Sequence, residues 1–333
     1  MQITLQNTEK GQCYAVRFDR YRQQVVDKLK TAVSVRWWDK STGAWMIPAK
    51  AELDQLTYYV RHFEPVNWGG YESKTDEDIA YQIPDMPELD EDHGLKIQPY
   101  LYQLQGIARG LQLKRFINGD DMGLGKTLES IATINKADAF PCLVICPNTV
   151  KINWQREWHK FTDKKAMVLT DSVRTSWPFF WQTGMNHVFI VNYESLRKYF
   201  VRRINKSEKW TLKDVEFHNT IKLFKSVIID ESHKVKSTAT QQSKFCKGIT
   251  AGKEWIILLT GTPVVNKPND LICQLAIMDR MNDLGGWKYF TSRYCSGPHG
   301  ASNLKELNFM LWKHCFFRRE KSKVLTQLPD KVR

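Results

Sequence analysis

The sequence predicts an α/β protein: a parallel sheet with helices on both faces, preceded by a small α+β domain. Two observations carry the larger part. From residue 95 onward, short apolar runs recur (RFING, CLVICP, AMVLT, HVFIVN, SVIID and WIILLT), and stretches of helical spacing lie between them, such as Thr127 to Ala137 and Val150 to Phe161. Strands that are apolar throughout, rather than at every second residue, suit a parallel sheet covered on both faces. The third observation is local: before residue 64 the β-rich runs are short and bracket turn signals, as in a separate small unit.

In chain order, CYAVRFD has strand character. RYRQQVVDKLKTA has helical spacing, with Val25, Val26 and Leu29 on one face. VSVRWWD and AWMIP flank the turn signal KSTG and predict a hairpin, and AELDQLTYYVRHF is again helical. The expectation is a compact β-α-β-β-α domain over residues 1–63. Residues 64–94 carry Gly-Gly, three prolines and a run of carboxylates, the composition of a linker. The alternating body follows from residue 95.

Charge divides along the same boundaries. The 333 residues carry a net +13, made of +4 over 1–63, −9 over 64–94 and +18 over 95–333. A basic body of that size suits a polyanion such as nucleic acid, although a solvated basic surface has the same composition. No apolar run approaches the length of a membrane span, and the N-terminus lacks the basic-then-apolar layout of a signal peptide. The expected location is intracellular: cytoplasmic in a prokaryote or virus, nuclear in a eukaryote. The seven cysteines are odd in number and form no Cys-x-x-Cys pair, which points to free thiols rather than disulfides or a zinc ribbon.

Three motifs carry chemistry. GDDMGLGKT follows an apolar strand and opens a helix, the context a phosphate-binding loop requires. Gly123 and Gly125 let the backbone turn tightly and present its N–H groups, with Met122, Leu124 and Leu128 flanking them. Lys126 would reach the β- and γ-phosphates of ATP, and Thr127 would hold Mg²⁺. The strict pattern wants glycine at position 120, where this chain has Asp120. Second, KSVIIDESH ends an apolar run in Asp230-Glu231: the first carboxylate suits Mg²⁺, the second suits orienting and deprotonating a water. Third, WIILLTGTP sets Thr260, Gly261 and Thr262 at a strand end, where small hydroxyl residues suit a γ-phosphate sensor.

Taken together, DDMGLGKT, DESH and LLTGTPVVNKPNDL resemble the motifs of superfamily 2 helicase-like ATPases, and more narrowly of Swi/Snf-type DNA translocases, in which an Asp at the place of Asp120 is usual. LYQLQGIARGL resembles the segment whose glutamine, here Gln103, reads the adenine. CPNTVKINWQREWHKF and FIVNYESL resemble the next motifs, and MLWKHCFFRREKSKVLTQLPDKVR resembles the segment that joins two motor lobes. The resemblance implies a RecA-like first lobe over 95–315 and the start of an inter-lobe connector over 316–333. A second RecA-like lobe, in cis or in trans, would supply an arginine finger, so this chain alone would turn over weakly. His233 and Thr260–Thr262 would couple the ATP site to DNA. A finer resemblance, in Asp121, Ser232 and the aromatic pattern of the front domain, is to the annealing-helicase subgroup with its HARP-like fork-recognition domain. Forked or duplex DNA would be the partner; an ATP-binding module without turnover, or an RNA-directed helicase, are the alternatives.

Two groups stay open on sequence alone. Trp37, Trp38 and Trp45 suit either stacking on unpaired bases or the core of a small hairpin. VRRINKSEKWTLK, residues 201–213, suits either a phosphate-contacting loop or a solvated insertion, with the second favoured.

Overall fold

In a computed structural model, residues 1–8, 11–33, 35–49, 53–61, 63–64, 66–69, 81–89, 93–206, 208–261, 268–296 and 300–324 are described. The chain divides into two units, Met1–Gln82 and Ile83–Arg333.

The smaller unit begins with an antiparallel pair, β1 (Gln2–Thr8) and β2 (Gly11–Arg17), followed by α1 (Gln23–Ala32), the hairpin β3 (Trp37–Asp39) and β4 (Ala44–Pro48), α2 (Asp54–Arg61) and β5 (Asn67–Gly69). The sheet order is β3-β4-β2-β1-β5. Two strands go beyond the expected β-α-β-β-α plan. β1 has the alternating pattern of a half-exposed strand, with Ile3 buried. β5 falls inside the stretch expected to be linker and pairs in parallel with β1. Asp39 fixes the hairpin turn: one carboxylate oxygen accepts from the Ser41 N–H at 2.9 Å and its hydroxyl at 2.7 Å, the other from the Thr42 hydroxyl at 2.8 Å. Val25, Val26 and Leu29 are buried, as their spacing on α1 predicts.

The larger unit starts with α3 (Leu101–Leu113) and β6 (Arg115–Asn118), then α4 (Lys126–Lys136), β7 (Cys142–Cys146), α5 (Lys151–Phe161), β8 (Ala166–Val168), α6 (Trp177–Gln182), β9 (Val188–Asn192) and α7 (Leu196–Phe200). The antiparallel hairpin β10 (Val201–Ile204) and β11 (Val215–Phe217) precedes β12 (Ser226–Ile229), α8 (Gln241–Thr250), β13 (Trp255–Leu259), α9 (Pro268–Ile277), α10 (Gly286–Tyr294), α11 (Leu304–His314), β14 (Phe316–Phe317) and α12 (Lys321–Val324). Seven strands form one sheet in the order β14-β6-β13-β12-β7-β9-β8, and every neighbouring pair is parallel.

Successive residues on each strand feed opposite cores. Leu143, Ile145, Phe189, Val191, Val227, Ile229, Ile256 and Leu258 pack on one face, and Val144, Cys146, Val188, Ile190, Ile228, Ile257 and Leu259 on the other. Period-two side-chain alternation with both faces covered explains why the strands read as unbroken apolar runs. All six expected strands are present, and the fold is RecA-like α/β. The seventh strand is a correction. Phe316 and Phe317, expected at the start of a connector, pair with Ile117 and Asn118 as the sheet's edge; two phenylalanines bury more apolar area there than a solvated connector would. Residues 325–333 of the expected connector, and 65, 70–80 and 90–92 of the expected linker, lie outside the described residues.

The insertion after α7 is docked rather than solvated. Trp210 stacks on Phe245 at 5.6 Å between centroids. Phe217 sits so close to Gly248 that a Cβ there would come within 2.3 Å of its ring. All seven thiols are free, and all but the half-buried Cys295 are buried. Burial pushes the Cys142 and Cys146 thiols up to about 12. Among the described residues no group of three or more His, Cys, Asp and Glu side chains is placed to hold a metal.

Candidate nucleotide and nucleic-acid sites

The strands of a parallel sheet all end at the same edge, so β6, β12 and β13 deliver their following loops side by side. The loop after β6 turns on Gly123 (φ 88°) and Gly125 (φ 90°), a left-handed backbone that glycine adopts without a Cβ penalty. α4 starts at Lys126, immediately after the second of them. The Lys126 ammonium donates to the backbone carbonyl oxygens of Asp120, at 2.6 Å, and Asp121, at 3.2 Å. Burial lowers its pKa, and the carboxylates of Asp120, Glu231, Asp230 and Glu129 pull it back up. Lys126 therefore lies in the field of acids from both the first and the second strand-end motif. Met122 is exposed, whereas the side chains of Leu124 and Leu128 are buried, so a ligand could meet those two only through backbone.

Gln103 is buried on α3 against this loop. Its carbonyl oxygen accepts from the Tyr100 N–H at 3.0 Å, and its amide donates to the Leu124 carbonyl at 3.1 Å. A Cβ at Gly125 would come within 2.3 Å of that amide, so a larger residue there would push Gln103 from its place as well as strain the backbone.

The acid pair after β12 is built differently. One Asp230 carboxylate oxygen accepts from the Trp154 indole at 2.9 Å, the other from the Glu231 N–H at 2.9 Å; the Asp230 carbonyl accepts from the Tyr193 hydroxyl at 2.5 Å. Burial raises the Asp230 pKa, partly offset by the Trp154 bond. Glu231 takes a left-handed backbone (φ 53°), a conformation that costs a non-glycine residue roughly 1–2 kcal/mol and turns the chain sharply out of the strand. His233 Nδ1 lies 3.2 Å from a Glu231 carboxylate oxygen, without the geometry of a hydrogen bond. Ser232 is buried and donates to Gln274 at 3.3 Å. Thr260 is buried at the end of β13, its N–H donating to the Asn118 carbonyl at 3.2 Å. Gly261 faces the phosphate loop: a Cβ there would meet Met122 at 3.0 Å and the Lys126 ammonium at 3.8 Å. Thr262 lies outside the described residues.

Asp120 has an unexpected place. Its carboxylate is fully buried and bound by Arg319, whose N–H donates to it at 2.7 Å and whose guanidinium donates to both its oxygens. The same guanidinium donates to Glu129, at 2.6 and 2.8 Å, and to the Tyr102 carbonyl. Asn118 completes the cluster, donating to Glu129 at 2.9 Å and accepting from the Asp120 N–H at 3.0 Å. Next along the chain, Asp121 accepts from Arg318 at 3.1 Å and from the Lys321 N–H at 3.0 Å. Two carboxylates share one guanidinium in a buried space, and burial pushes the Glu129 pKa up to about 8 against the pull of Arg319. No sequence motif marks Glu129, and Arg318 and Arg319 fall in the segment that resembles an inter-lobe connector without a role read for either. The one available signal is an Asp-Asp pair and an Arg-Arg pair of opposite charge, far apart in sequence.

The three tryptophans separate. Trp37 packs on the cluster of Cys13, Ala15, Ala44 and Met46, on the sheet face opposite its neighbour. Trp38 is 49% exposed and meets its cross-strand partner Trp45 edge-on at 5.4 Å. Trp38 and Trp45 line a cavity of about 400 Å³ with Phe18, Tyr21, Val26 and Lys30. Hence Trp45 is shared between core and cavity, and only Trp38 offers an open ring.

Comparison with known proteins accords with this arrangement. The profile of the SNF2-related domain matches residues 44–333. A Caenorhabditis elegans homolog of the SWI/SNF-related matrix-associated actin-dependent regulator of chromatin subfamily A-like protein 1 is 30% identical over 252 residues, 70% of this chain and 32% of that protein. Human DNA annealing helicase and endonuclease ZRANB3 is 30% identical over 246 residues, 70% of this chain and 21% of that protein. The chain thus spans about a third or less of the length of these curated relatives. Among solved structures, the Sulfolobus solfataricus SWI2/SNF2 ATPase core in complex with dsDNA superposes with a TM-score of 0.56 at 27% identity, covering 74% of this chain and 50% of that one.

Proposed function

Since the chain belongs to the SNF2-related family of superfamily 2 helicase-like motors, we propose that it is the first RecA-like lobe of a DNA-dependent ATPase, in a translocase of the annealing-helicase kind. One observation carries the reading: Lys126, beside two glycines with positive φ, lies in the field of Asp230 and Glu231 from another strand end. ATP would lie over Gly123–Thr127, its phosphates taking the Lys126 ammonium away from the carbonyl oxygens of Asp120 and Asp121. The exchange is favourable because a phosphate oxygen carries charge that a peptide carbonyl lacks. Beyond its bonds to Tyr100 and Leu124, Gln103 keeps a second amide N–H and a second carbonyl lone pair, and these would read the adenine.

The Thr127 hydroxyl and the Asp230 carboxylate would hold Mg²⁺, both being the oxygen donors that ion prefers. A cation there would offset the burial that now raises Asp230's pKa. Mg²⁺ supplies neutralisation of charge on the transferring phosphate. Glu231, turned out of the strand and half-exposed, would orient a water and take its proton, with His233 beside it to report its state toward DNA. Without an arginine finger from a second lobe, turnover should fall by about 10³–10⁵. The DNA-bound structural neighbour and the basic charge of residues 95–333 support duplex or forked DNA, bound with strong salt dependence. The reading places the protein with chromosomal DNA, in the nucleus if the source is eukaryotic.

Titration with a fluorescent ATP analogue tests the site. Lys126→Ala should abolish most affinity, whereas Glu231→Gln should bind normally and, in a two-lobe protein, stop hydrolysis. Unchanged binding by the first variant, or retained turnover by the second, overturns the respective role. In the smaller unit, Trp38→Ala should weaken binding to forked DNA by about 1–3 kcal/mol if a base stacks on its open ring. Equal affinity in a gel-shift or anisotropy titration would return Trp38 to the hairpin alone.

A further inference from the structure

The buried cluster around Arg319 joins Asp120 of the phosphate-loop motif to Glu129 and to the segment after β14, and so grips the loop at one place. Asp120 does two things at once. Its backbone carbonyl is where the Lys126 ammonium rests, and its side chain is the anchor for Arg319. Asp121 repeats the pattern, with its carbonyl on Lys126 and its carboxylate on Arg318 and the Lys321 N–H. Backbone bonds run in parallel with these side-chain ties: the Gly119 N–H donates to the Phe317 carbonyl at 2.9 Å, and the Asp121 N–H to the Arg319 carbonyl at 3.1 Å. The shoulder of the phosphate loop is therefore laced, residue by residue, to the segment 317–321.

We propose that Arg319, assisted by Arg318, is a positioning residue that couples nucleotide binding at the phosphate loop to the seating of residues 317–321, the segment that continues into α12. The inference rests on the reading of residues 120–127 as a phosphate cradle. Arg319 touches no phosphate; it acts through Asp120. When phosphates draw Lys126 from the carbonyls of Asp120 and Asp121, those carbonyls lose a cationic donor and the peptide units that carry them readjust. The same residues' carboxylates transmit the readjustment to Arg318, Arg319 and Lys321. Coupling is reciprocal, so displacement of 317–321 alters nucleotide affinity by the same factor as nucleotide alters the segment. A cluster with two carboxyl groups on one buried guanidinium suits this role, because moving any member leaves a buried charged or polar group without its partner and the arrangement is held or lost as a unit.

The test is amide hydrogen exchange on the 333-residue chain, with binding followed separately by fluorescence. Saturation with a non-hydrolysable ATP analogue and Mg²⁺ should change exchange at the Arg319 and Lys321 amides, both bonded to the loop's carboxylates, on the order of tenfold. AMP, which has the base but not the β- and γ-phosphates, should leave them unchanged. Arg319→Gln should weaken the triphosphate by a similar factor and leave AMP affinity alone, and Arg318→Gln, at a more exposed position, should do the same to a smaller degree. Bound analogue with unaltered exchange at 319 and 321, or variants that weaken AMP and triphosphate equally, would overturn the coupling and leave the phosphate cradle standing. No binding of the analogue at all overturns the cradle and the coupling with it.

Discussion

The loops after β6 and β12 leave the same sheet edge, yet they are held by different forces. The first is fastened by charge: Asp120 and Glu129 on Arg319, buried, with Asp121 on Arg318 beside them. The second is fastened by hydrogen bonds from uncharged donors: the Trp154 indole and Tyr193 hydroxyl on Asp230, and Ser232 on Gln274. A buried ion cluster is rigid and intolerant of losing a member, because the remaining charge is stranded. A carboxylate held by uncharged donors has no ion-pair partner of its own: burial raises the Asp230 pKa, the field of Lys126 only partly lowers it, and a bound cation would stabilise the charged form. The difference separates a loop built to hold its shape from one built to present charge.

The largest expected effect comes from breaking the charged side of this comparison. Arg319→Met leaves Asp120 buried without a counter-ion and Glu129 without its guanidinium donor, and should lower stability by about 3–5 kcal/mol in urea unfolding. A loss below about 1 kcal/mol would mean the cluster is no tighter than its hydrogen-bonded neighbour. The second effect depends on pH. The Glu129 pKa is about 8 when folded and near 4.5 when unfolded, so the folded state binds more protons between those values. Its contribution is fully present below pH 4.5 and is lost as pH rises through about 8, on the order of a few kcal/mol. Glu129→Gln keeps the shape without the proton and should flatten the pH–stability curve across that window. An identical slope in the variant would move the titration elsewhere. The smallest effect belongs to the other loop: Trp154→Phe removes one donor to a carboxylate and should cost about 1.5–3 kcal/mol. Should this loss exceed that of Arg319→Met, the contrast between the loops is inverted.

What the sequence made legible follows the range of the interactions involved. Strand identity in the main sheet is written locally, and six apolar runs announce six strands. The positions of Asp230 and Glu231 after a strand, and of Lys126 at a helix start, follow from the same local pattern. β14 was illegible because two phenylalanines after a helix carry no periodicity; only a partner some two hundred residues earlier makes them a strand. The Asp120–Arg319–Glu129 cluster was hidden for the same reason, since charged residues read as surface until their partners are known. β1 and β5 escaped because one is half polar and the other is three residues long inside an acidic stretch. The tryptophans of the hairpin could not be sorted from composition, as adjacent strand residues face opposite ways and only register says which face is open.

The pairing of β14 with β6 also sets an order of events during synthesis. The strand that carries the phosphate loop emerges from the ribosome early, but its edge partner and Arg319 follow only after nearly the whole lobe has been made. Until then Asp120 and Glu129 have no guanidinium to face, and β6 presents an unpaired edge. The nucleotide loop therefore goes without its fastening until residues 316–321 have been made, and a nascent chain arrested before residue 316 lacks the bolt that fixes it.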